Sequence, residues 1–154
     1  METMEKEKTV DVLNDLVEIN NDRIEGYEKA GKETEEQDLK TLFMKFAHTS
    51  QKNKEELASE IYRLGGEPSE DTKISGKFFR VWMDVKASLS GKDRKAILNS
   101  CEYGEDNAVE TYEKVLKDDL EYLSVEEITM ITAQYALIKA DHFTVKTMRD
   151  ALAD

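Results

Sequence analysis

The fold is indicated most clearly by residues 36–68, which read EQDLKTLFMKFAHTSQKNKEELASEIYRLGGEP. Apolar side chains recur there at spacings of three and four, which is the period of one face of an α-helix; they are Leu39, Leu42, Phe43, Phe46, Leu57, Ile61 and Leu64. Gly65, Gly66 and Pro68 follow this pattern. Glycine favours a helix cap and proline cannot continue a helix. The stretch therefore predicts a long amphipathic helix over residues 36–64.

Three further segments have the same period and a similar length, at residues 5–31, 93–117 and 125–152. The predicted inward residues are Leu13, Leu16, Val17, Asn20, Ile24, Tyr27 and Ala30 in the first segment, Ile97, Cys101, Ala108, Tyr112 and Val115 in the second, and Ile128, Ile131, Tyr135, Ile138, His142, Val145 and Leu152 in the third. The last is preceded by Ser124 with Glu127 three residues on, a capping box in which each side chain bonds an otherwise unpaired backbone N–H. A helix of 25 residues is about 37 Å long. Four such helices with one apolar stripe each can bury those stripes only against one another. We therefore predict a single all-α domain over residues 1–154, folded as a four-helix bundle.

The connection between the second and third long helices has a pattern of its own. Residues 74–89, ISGKFFRVWMDVKASL, carry apolar side chains at helical spacing; these are Phe78, Phe79, Trp82, Val85 and Leu89. Aromatic residues at this spacing usually bury themselves, so the segment predicts a short extra helix that lies on the bundle. The alternative is an aromatic patch that binds a partner.

Composition limits the partners and the location that we expect. The formal charge of −12, from 22 basic and 34 acidic residues, repels nucleic-acid phosphates and anionic lipids. No apolar run approaches the roughly 18 residues that span a bilayer, and METMEKEKT at the start has no apolar signal region. The single cysteine, Cys101, suits a reducing compartment. We expect a cytoplasmic protein with no nucleic-acid partner and no membrane span.

Polar residues interrupt the apolar stripes near the middle of each long helix, and they are Asn20, Ser50, Asn53, Cys101, Glu105 and His142. A buried carboxylate needs a partner because an isolated charge in an apolar core is costly, and we expect Glu105 to pair with His142. Three interpretations are open. The residues form a hydrogen-bond network that sets helix register, they bind iron, manganese or zinc, or they support acid–base or thiol chemistry through Cys101.

Five segments between residues 9 and 151 resemble one known group of proteins. They are VLNDLVEINNDRIEGY at 12–27, YRLGGEP at 62–68, VWMDVKASL at 81–89, ILNSCEYGE at 97–105 and the stretch 142–149. Together they are similar to the bacterial family of ferritin-like four-helix-bundle proteins of unknown function. That family resembles rubrerythrin and bacterioferritin in fold. The resemblance implies a ferritin-like bundle and carries no activity with it.

The resemblance also implies where ligands of a di-iron centre would stand. Di-iron members of the superfamily use one Glu on each of two helices and Glu-x-x-His on each of the other two. Here Asn20 takes one Glu position, Gln51-Lys-Asn-Lys54 replaces one Glu-x-x-His, Glu105 is kept, and Lys139-Ala-Asp-His142 keeps only the histidine. A shift of one turn would bring Glu18 or Glu55 to a ligand position instead. The lysines offer Glu105 a cationic partner in place of a metal.

No Ser-His-Asp arrangement, P-loop, GxGxxG or CxxC pair is present, so we assign no catalytic and no cofactor-binding residue. We expect a non-enzymatic ferritin-like bundle without a cofactor that acts through self-association or a protein partner. Tyr103 and Trp82 are candidate interface aromatics. The alternative is a metal-binding protein or oxidase that holds iron, manganese or zinc with Glu105, His142 and Glu102.

Overall fold

The computed structural model describes residues 2–72, 76–87 and 94–152. All regular secondary structure within these ranges is helical. In chain order the elements are α1 (Glu2–Glu33), α2 (Gln37–Arg63), α3 (Phe79–Ala87), α4 (Arg94–Asp118), a 3-10 turn (Leu120–Tyr122) and α5 (Val125–Asp150). This confirms the all-helical prediction and the short extra helix between the second and third long helices. The predicted start and end of the short helix, at residues 74 and 89, lie outside the described residues. The same is true of the predicted start of the third long helix, at residue 93.

The long helices associate as two antiparallel pairs. α1 packs along α2, α4 packs along α5, and the short helix α3 lies against α1 and α4. The predicted stripes are buried for the most part, with Leu13, Phe43, Phe46, Ile97 and Tyr112 among the core side chains, whereas Ile24, Leu42 and Leu64 are only half-buried. Within the described ranges, no helix is long and apolar enough to cross a membrane.

Phe78 fixes α3 against the bundle. Its ring is fully buried and lies 5.1 Å from the ring of Tyr27. A Cβ atom placed on Gly26 of α1 would lie 2.6 Å from Cβ of Phe78, and one on Gly104 of α4 would lie 2.7 Å from its ring. These distances are shorter than real Cβ contacts, so glycine at both positions makes the slot that Phe78 enters. Val85 is also buried, but Phe79 is 44% exposed; the predicted aromatic face is therefore only partly packed.

Asp22 of α1 holds the start of α3. Its carboxylate accepts hydrogen bonds from the backbone N–H groups of Lys77 and Phe78, as an acidic group commonly does at a helix N-terminus. The side chain is buried, and its Oδ2 atom has no hydrogen-bond partner among the residues that the structure describes. Burial raises the pKa of Asp22 from 3.8 to about 6, and the two backbone hydrogen bonds and the charge of Lys77 oppose this only in part, because the charged form loses much of its hydration.

The predicted capping box at the start of α5 is confirmed. The Ser124 hydroxyl accepts the backbone N–H of Glu127 at 3.1 Å, and the Glu127 carboxylate accepts the backbone N–H of Ser124 at 2.7 Å. Both otherwise unpaired donors are satisfied, which fixes the first turn of α5.

Candidate functional site at the bundle centre

A buried arginine occupies the centre of the bundle. Arg23 of α1 is fully buried, and its guanidinium donates two parallel hydrogen bonds of 2.9 Å to the carboxylate of Glu105 on α4. It also donates to Asp141 on α5 at 3.0 Å and to the hydroxyl of Ser50 on α2 at 2.6 Å. Tyr27 completes the group by donating its hydroxyl to Glu105 at 2.9 Å. We call these five residues the arginine layer, and each long helix contributes to it.

Burial and the charge of the Arg23 guanidinium both shift the pKa values of the ionisable side chains in the arginine layer. Burial raises the pKa of Glu105 and that of Asp141, and the nearby guanidinium of Arg23 opposes both shifts. Burial lowers the pKa of Arg23, but the carboxylate of Glu105 more than offsets this, so that the pKa of the guanidinium lies above its ordinary value. Arg23 therefore stays positively charged, and it is the counter-ion for both carboxylates.

Aromatic rings surround the guanidinium. Its central carbon lies 5.6 Å from the ring centroid of Tyr27, 5.8 Å from that of Phe46 and 5.9 Å from that of Phe78. Ring faces attract a cation, and the attraction strengthens when water is excluded. The rings therefore separate the charged group from solvent and at the same time favour its positive charge.

A second polar layer lies beside the arginine layer. Asn20 of α1 donates to the hydroxyl of Tyr112 on α4 at 2.9 Å, and this hydroxyl donates to Gln134 of α5 at 2.7 Å. Gln134 donates to the backbone carbonyl of Asn53 on α2 at 3.3 Å, and the Asn53 amide lies 3.4 Å from Asn20 Oδ1. This amide layer again joins all four long helices. Because a shift of any helix would break several of its bonds, the layer specifies helix register.

The predicted hydrogen-bond network is confirmed for Asn20, Ser50, Asn53 and Glu105, which are all buried within these two layers. The expected pairing of Glu105 with His142 is wrong, because Glu105 bonds Arg23 and Tyr27 instead. Lysine does not supply the cation near Glu105 either. On α5 the buried polar residues of the two layers are Gln134 and Asp141. Each lies one position before a residue that was predicted to face inward, Tyr135 and His142 respectively, and these two are half-buried.

Sequence reasoning missed Arg23 and Asp141. Arg23 stands three residues after Asn20 and four before Tyr27, both of which were expected to face inward. Its spacing therefore placed it on the same stripe. The spacing of Asp141 from Ile138 and Val145 is likewise three and four. These spacings were the feature of the sequence that could have identified Arg23 and Asp141 as inward-facing residues.

Two of the three predicted metal ligands lie on the outside of the bundle, in what we call the outer cluster. Glu102 and Asp106 of α4 and His142 of α5 can each place one ligand atom within 4.8 Å of the others. The Nε2 atom of His142 lies 2.5 Å from a carboxylate oxygen of Asp106, and Arg149 forms an ion pair with Glu102. Glu105, the third predicted ligand, belongs to the arginine layer and not to this cluster.

Cys101 is the remaining reactive group close to the centre. It is fully buried, and burial raises the pKa of its thiol far above the ordinary value, with a further contribution from the charge of Glu105. Since the thiolate is the reactive form, the side chain packs as a small neutral group at neutral pH. The arrangement gives no support to thiol chemistry.

Comparison with known proteins agrees with this architecture. No curated protein matches the sequence. Among solved structures, the chain is similar to the bacterioferritin of Desulfovibrio desulfuricans, whose structure was described for different catalytic states of its diiron site. The TM-score is 0.80 over 97% of this chain and 82% of that one, at 18% sequence identity, which shows a shared fold. Residues 8–118 match the family model for the domain of unknown function DUF2383. The chain belongs to this family, and its fold is that of a ferritin-like four-helix bundle.

Proposed function

We propose that this protein is a ferritin-like bundle that needs no metal at its centre, catalyses no reaction of its own and acts in the cytoplasm by associating with further copies of itself. The observation that carries the proposal is the guanidinium of Arg23, which lies among Glu105, Asp141 and Ser50 and is fully buried. A cation supplied by the chain already pairs with the two carboxylates that a metal ion would need as ligands.

The donor set at the centre does not fit a di-iron site. A ferritin-like di-iron centre draws four glutamates and two histidines from the four long helices. In this chain those helices contribute a guanidinium, two hydroxyls and two carboxylates to the arginine layer. Arginine has no acceptor atom, does not lose its proton in proteins and repels a metal cation. The diiron site named for the similar bacterioferritin therefore has no counterpart in the arginine layer.

Self-association is supported by the apolar side chains that the bundle leaves uncovered. Phe143 is 68% exposed and Val125 is 75% exposed. Tyr103, one of the two candidate interface aromatics, is also exposed, while Trp82 is half-buried. Large apolar residues on a highly charged surface are typical of places where a protein binds another protein.

Two measurements on the wild-type chain test the proposal. Elemental analysis of protein purified without chelator should find iron, manganese and zinc well below one ion per chain. Light scattering over a range of concentrations should find assemblies larger than one chain. Near-stoichiometric metal that Glu105→Gln removes and His142→Ala retains would show that the bundle centre binds metal. A monomer at every concentration would contradict self-association.

The second candidate function is metal binding at the outer cluster. It is supported by the placement of Glu102, Asp106 and His142, since one imidazole and two carboxylates suit zinc, manganese or iron(II). Arg149 competes for Glu102, so a metal would have to displace a guanidinium. This candidate keeps Glu102 and His142 from the predicted ligand set and replaces Glu105 with Asp106.

Calorimetric titration with Zn²⁺, Mn²⁺ and anaerobic Fe²⁺ tests this candidate. Binding at the outer cluster should disappear in His142→Ala and persist in His48→Ala, because His48 is an exposed histidine on α2 and provides a matched control. Arg149→Met should strengthen binding, since it frees Glu102. If wild type binds none of these ions, or if His142→Ala binds as tightly as wild type, the outer cluster is only a set of surface ion pairs.

A further inference from the structure

The outer surface around α3 concentrates positive charge on two aromatic rings. Lys29 and Lys86 each place their ammonium group 5.0 Å from the ring centroid of Trp82. The guanidinium of Arg80 lies 4.4 Å from the ring of Tyr103, and Lys77 donates a hydrogen bond of 3.0 Å to the hydroxyl of the same tyrosine. The two cations lower the pKa of Tyr103. We call this surface the basic–aromatic face.

The basic–aromatic face is unusual in a chain whose formal charge is −12. Three carboxylates adjoin it in the described part of the chain, and each has a partner within the fold: Asp22 accepts the backbone N–H groups of Lys77 and Phe78, Glu25 pairs with Lys29, and Asp84 accepts a hydrogen bond from Ser100. Phe79 and Met83, one helical turn apart on α3, are both 44% exposed in the middle of this surface. An apolar centre with a charged rim is the usual layout of a protein-binding surface.

The connection between α4 and α5 has the opposite charge. Residues 118–127, DDLEYLSVEE, contain five acidic residues and no basic residue. Two apolar side chains stand out from this acidic loop, since Leu120 is 44% exposed and Val125 is 75% exposed. Cations are present near the loop, since Lys114 acts on Asp119, Arg63 pairs with Glu60 and lies 4.0 Å from Glu127, and Lys8 lies over the ring of Tyr122.

The negative charge of the acidic loop is unfavourable within a single chain. Asp118 is the last residue of α4, where the helix dipole is negative and favours a cation. The pKa of Asp119 is raised, first by burial and next by the charge of Asp118, with Asp15 and Glu121 adding to the repulsion and Lys114 opposing it in part. A positively charged surface placed against the loop would relieve these repulsions.

The two surfaces lie at opposite ends of the bundle. The acidic loop contacts the first part of α1, where the Thr9 hydroxyl bonds the carbonyl of Tyr122. The basic–aromatic face contacts the last part of α1, where Lys29 lies over Trp82. Twenty residues of helix separate Thr9 from Lys29, which is about 30 Å. The two surfaces of one chain therefore cannot contact each other, but those of two chains can.

We propose that the basic–aromatic face of one copy docks on the acidic loop of a second copy, in a head-to-tail contact that buries Phe79 and Met83 against Leu120 and Val125. The partner is a second copy of this chain because both charge and apolar content are complementary between the two surfaces. A contact between two different surfaces leaves one of each free at the ends, so it builds rings or open chains of subunits. This inference rests on the proposed self-association and names its interface.

Two charge-reversed variants test each surface separately. Lys77→Glu/Arg80→Glu changes the basic–aromatic face, and Asp118→Lys/Glu121→Lys changes the acidic loop; all four positions are outside the buried core. Each variant alone should be monomeric by light scattering where wild type is assembled. The assembly of wild type should weaken as NaCl is raised, since salt screens exposed charges beyond about 10 Å at 0.1 M. The acidic-loop variant should be at least as stable as wild type, because the dipole at the end of α4 favours a lysine over the aspartate that it replaces.

Mixing the two variants gives the sharpest test. The first variant keeps an intact acidic loop and the second keeps an intact basic–aromatic face, so an equimolar mixture should assemble although each variant alone is monomeric. The two reversed surfaces are also opposite in charge, so the mixed assemblies can grow beyond a dimer. A contact between identical surfaces would not be restored by mixing. Lys139→Glu is the matched control, because Lys139 also lies over a tyrosine ring, that of Tyr135 on α5, and should leave assembly unchanged.

The remaining outcomes separate this interface from self-association in general. If wild type is assembled and both charge-reversed variants assemble equally well, another surface mediates association and this interface is wrong. If wild type is monomeric at all concentrations, the proposed self-association fails as well. If monomeric wild type binds phosphatidylserine vesicles through Lys77 and Arg80, the occupant of the basic–aromatic face is a lipid surface and the inference is overturned.

Discussion

The arginine layer and the outer cluster are built from neighbouring residues on the same two helices. Glu105 and Asp106 are adjacent on α4, and Asp141 and His142 are adjacent on α5. Glu105 and Asp141 face inward and are buried with Arg23, whereas Asp106 is half exposed beside His142. One step along a helix turns a side chain by about 100°. That step separates a carboxylate that must have a counter-ion from one that water can solvate.

The same residue types therefore have different energetic roles at the two places. Removing one partner of a buried ion pair leaves an uncompensated charge in the core, which costs about 3–5 kcal/mol. Removing one partner of an exposed pair typically changes stability by less than about 1 kcal/mol. The following substitutions compare polar and charged groups in the buried centre with others closer to the surface, from the largest expected effect to the smallest.

Arg23→Met should have the largest effect on stability. It leaves Glu105 and Asp141 buried without a cation, and we expect the free energy of unfolding at pH 7.5 to fall by about 3–5 kcal/mol. The loss should shrink as pH falls, because loss of the guanidinium raises the pKa of both carboxyls further and the folded variant then takes up protons before the unfolded chain does. Urea denaturation at several pH values measures both effects.

Arg149→Met is the control for Arg23→Met, since Arg149 pairs with Glu102 of the outer cluster, where the two side chains are 27% and 16% exposed and those of Arg23 and Glu105 are fully buried. It should change the free energy of unfolding by less than about 1 kcal/mol. Equal losses for the two variants would show that burial does not distinguish the two ion pairs.

Tyr27→Phe should have the next largest effect. It removes the hydroxyl that donates to Glu105 at 2.9 Å, and hydrogen bonds to charged groups contribute about 1.5–3 kcal/mol. Tyr135→Phe removes a similar bond of 2.6 Å to the exposed carboxylate of Glu113 and should cost less than about 0.5 kcal/mol. Thermal unfolding of both variants should show a clearly larger decrease in Tm for Tyr27→Phe.

Asp22→Asn should stabilise the protein at neutral pH. Burial raises the pKa of Asp22 from 3.8 to about 6, so the folded state holds the proton more tightly and wild type loses stability as pH rises from about 4 to 6. Asparagine keeps an acceptor oxygen for Lys77 and Phe78 without the charge. We expect a gain of about 1–2 kcal/mol at pH 7.5, since partial hydration reduces the full effect of the shift. A gain that is the same at pH 4 and pH 7.5 would contradict this account.

His142→Ala should have the smallest effect. His142 contacts Asp106 on the outside of the bundle, and surface substitutions usually change the free energy of unfolding by no more than about 0.5 kcal/mol. Chemical denaturation in the absence of added metal measures this. A loss above about 2 kcal/mol would mean that the outer cluster contributes to the fold as the arginine layer does.

The four-helix architecture could be predicted because each long helix carries a local apolar pattern with clear ends, such as Gly65 and Pro68 after α2 and the capping box at Ser124. The inward positions of Asn20, Ser50, Asn53 and Glu105 followed from the same patterns, and each of these residues is buried. For these residues, position along one helix was sufficient.

The identity of the counter-ion could not be predicted in the same way. Arg23 bonds residues that are 82 and 118 positions away in the sequence, and no local pattern reports such a pairing. A search for apolar stripes assigns charged residues such as arginine and aspartate to the solvent-exposed face of a helix. It therefore placed Ile24 and His142 on the inward faces instead of Arg23 and Asp141. The burial of these charges depends on a partner that only the assembled bundle brings close.

Phe78 links the outer surface to the charged centre. It enters between Gly26 and Gly104, its ring centroid lies 5.9 Å from the guanidinium carbon of Arg23, and the helix that follows it carries the exposed Phe79 and Met83. Any opening of α3 would admit water to the arginine layer, so ligands that bind α3 in its closed position also stabilise the ion pairs beneath it. Bundle stability and occupancy of the α3 surface are thus thermodynamically linked, and the proposed self-association through this surface predicts an unfolding temperature that rises with protein concentration.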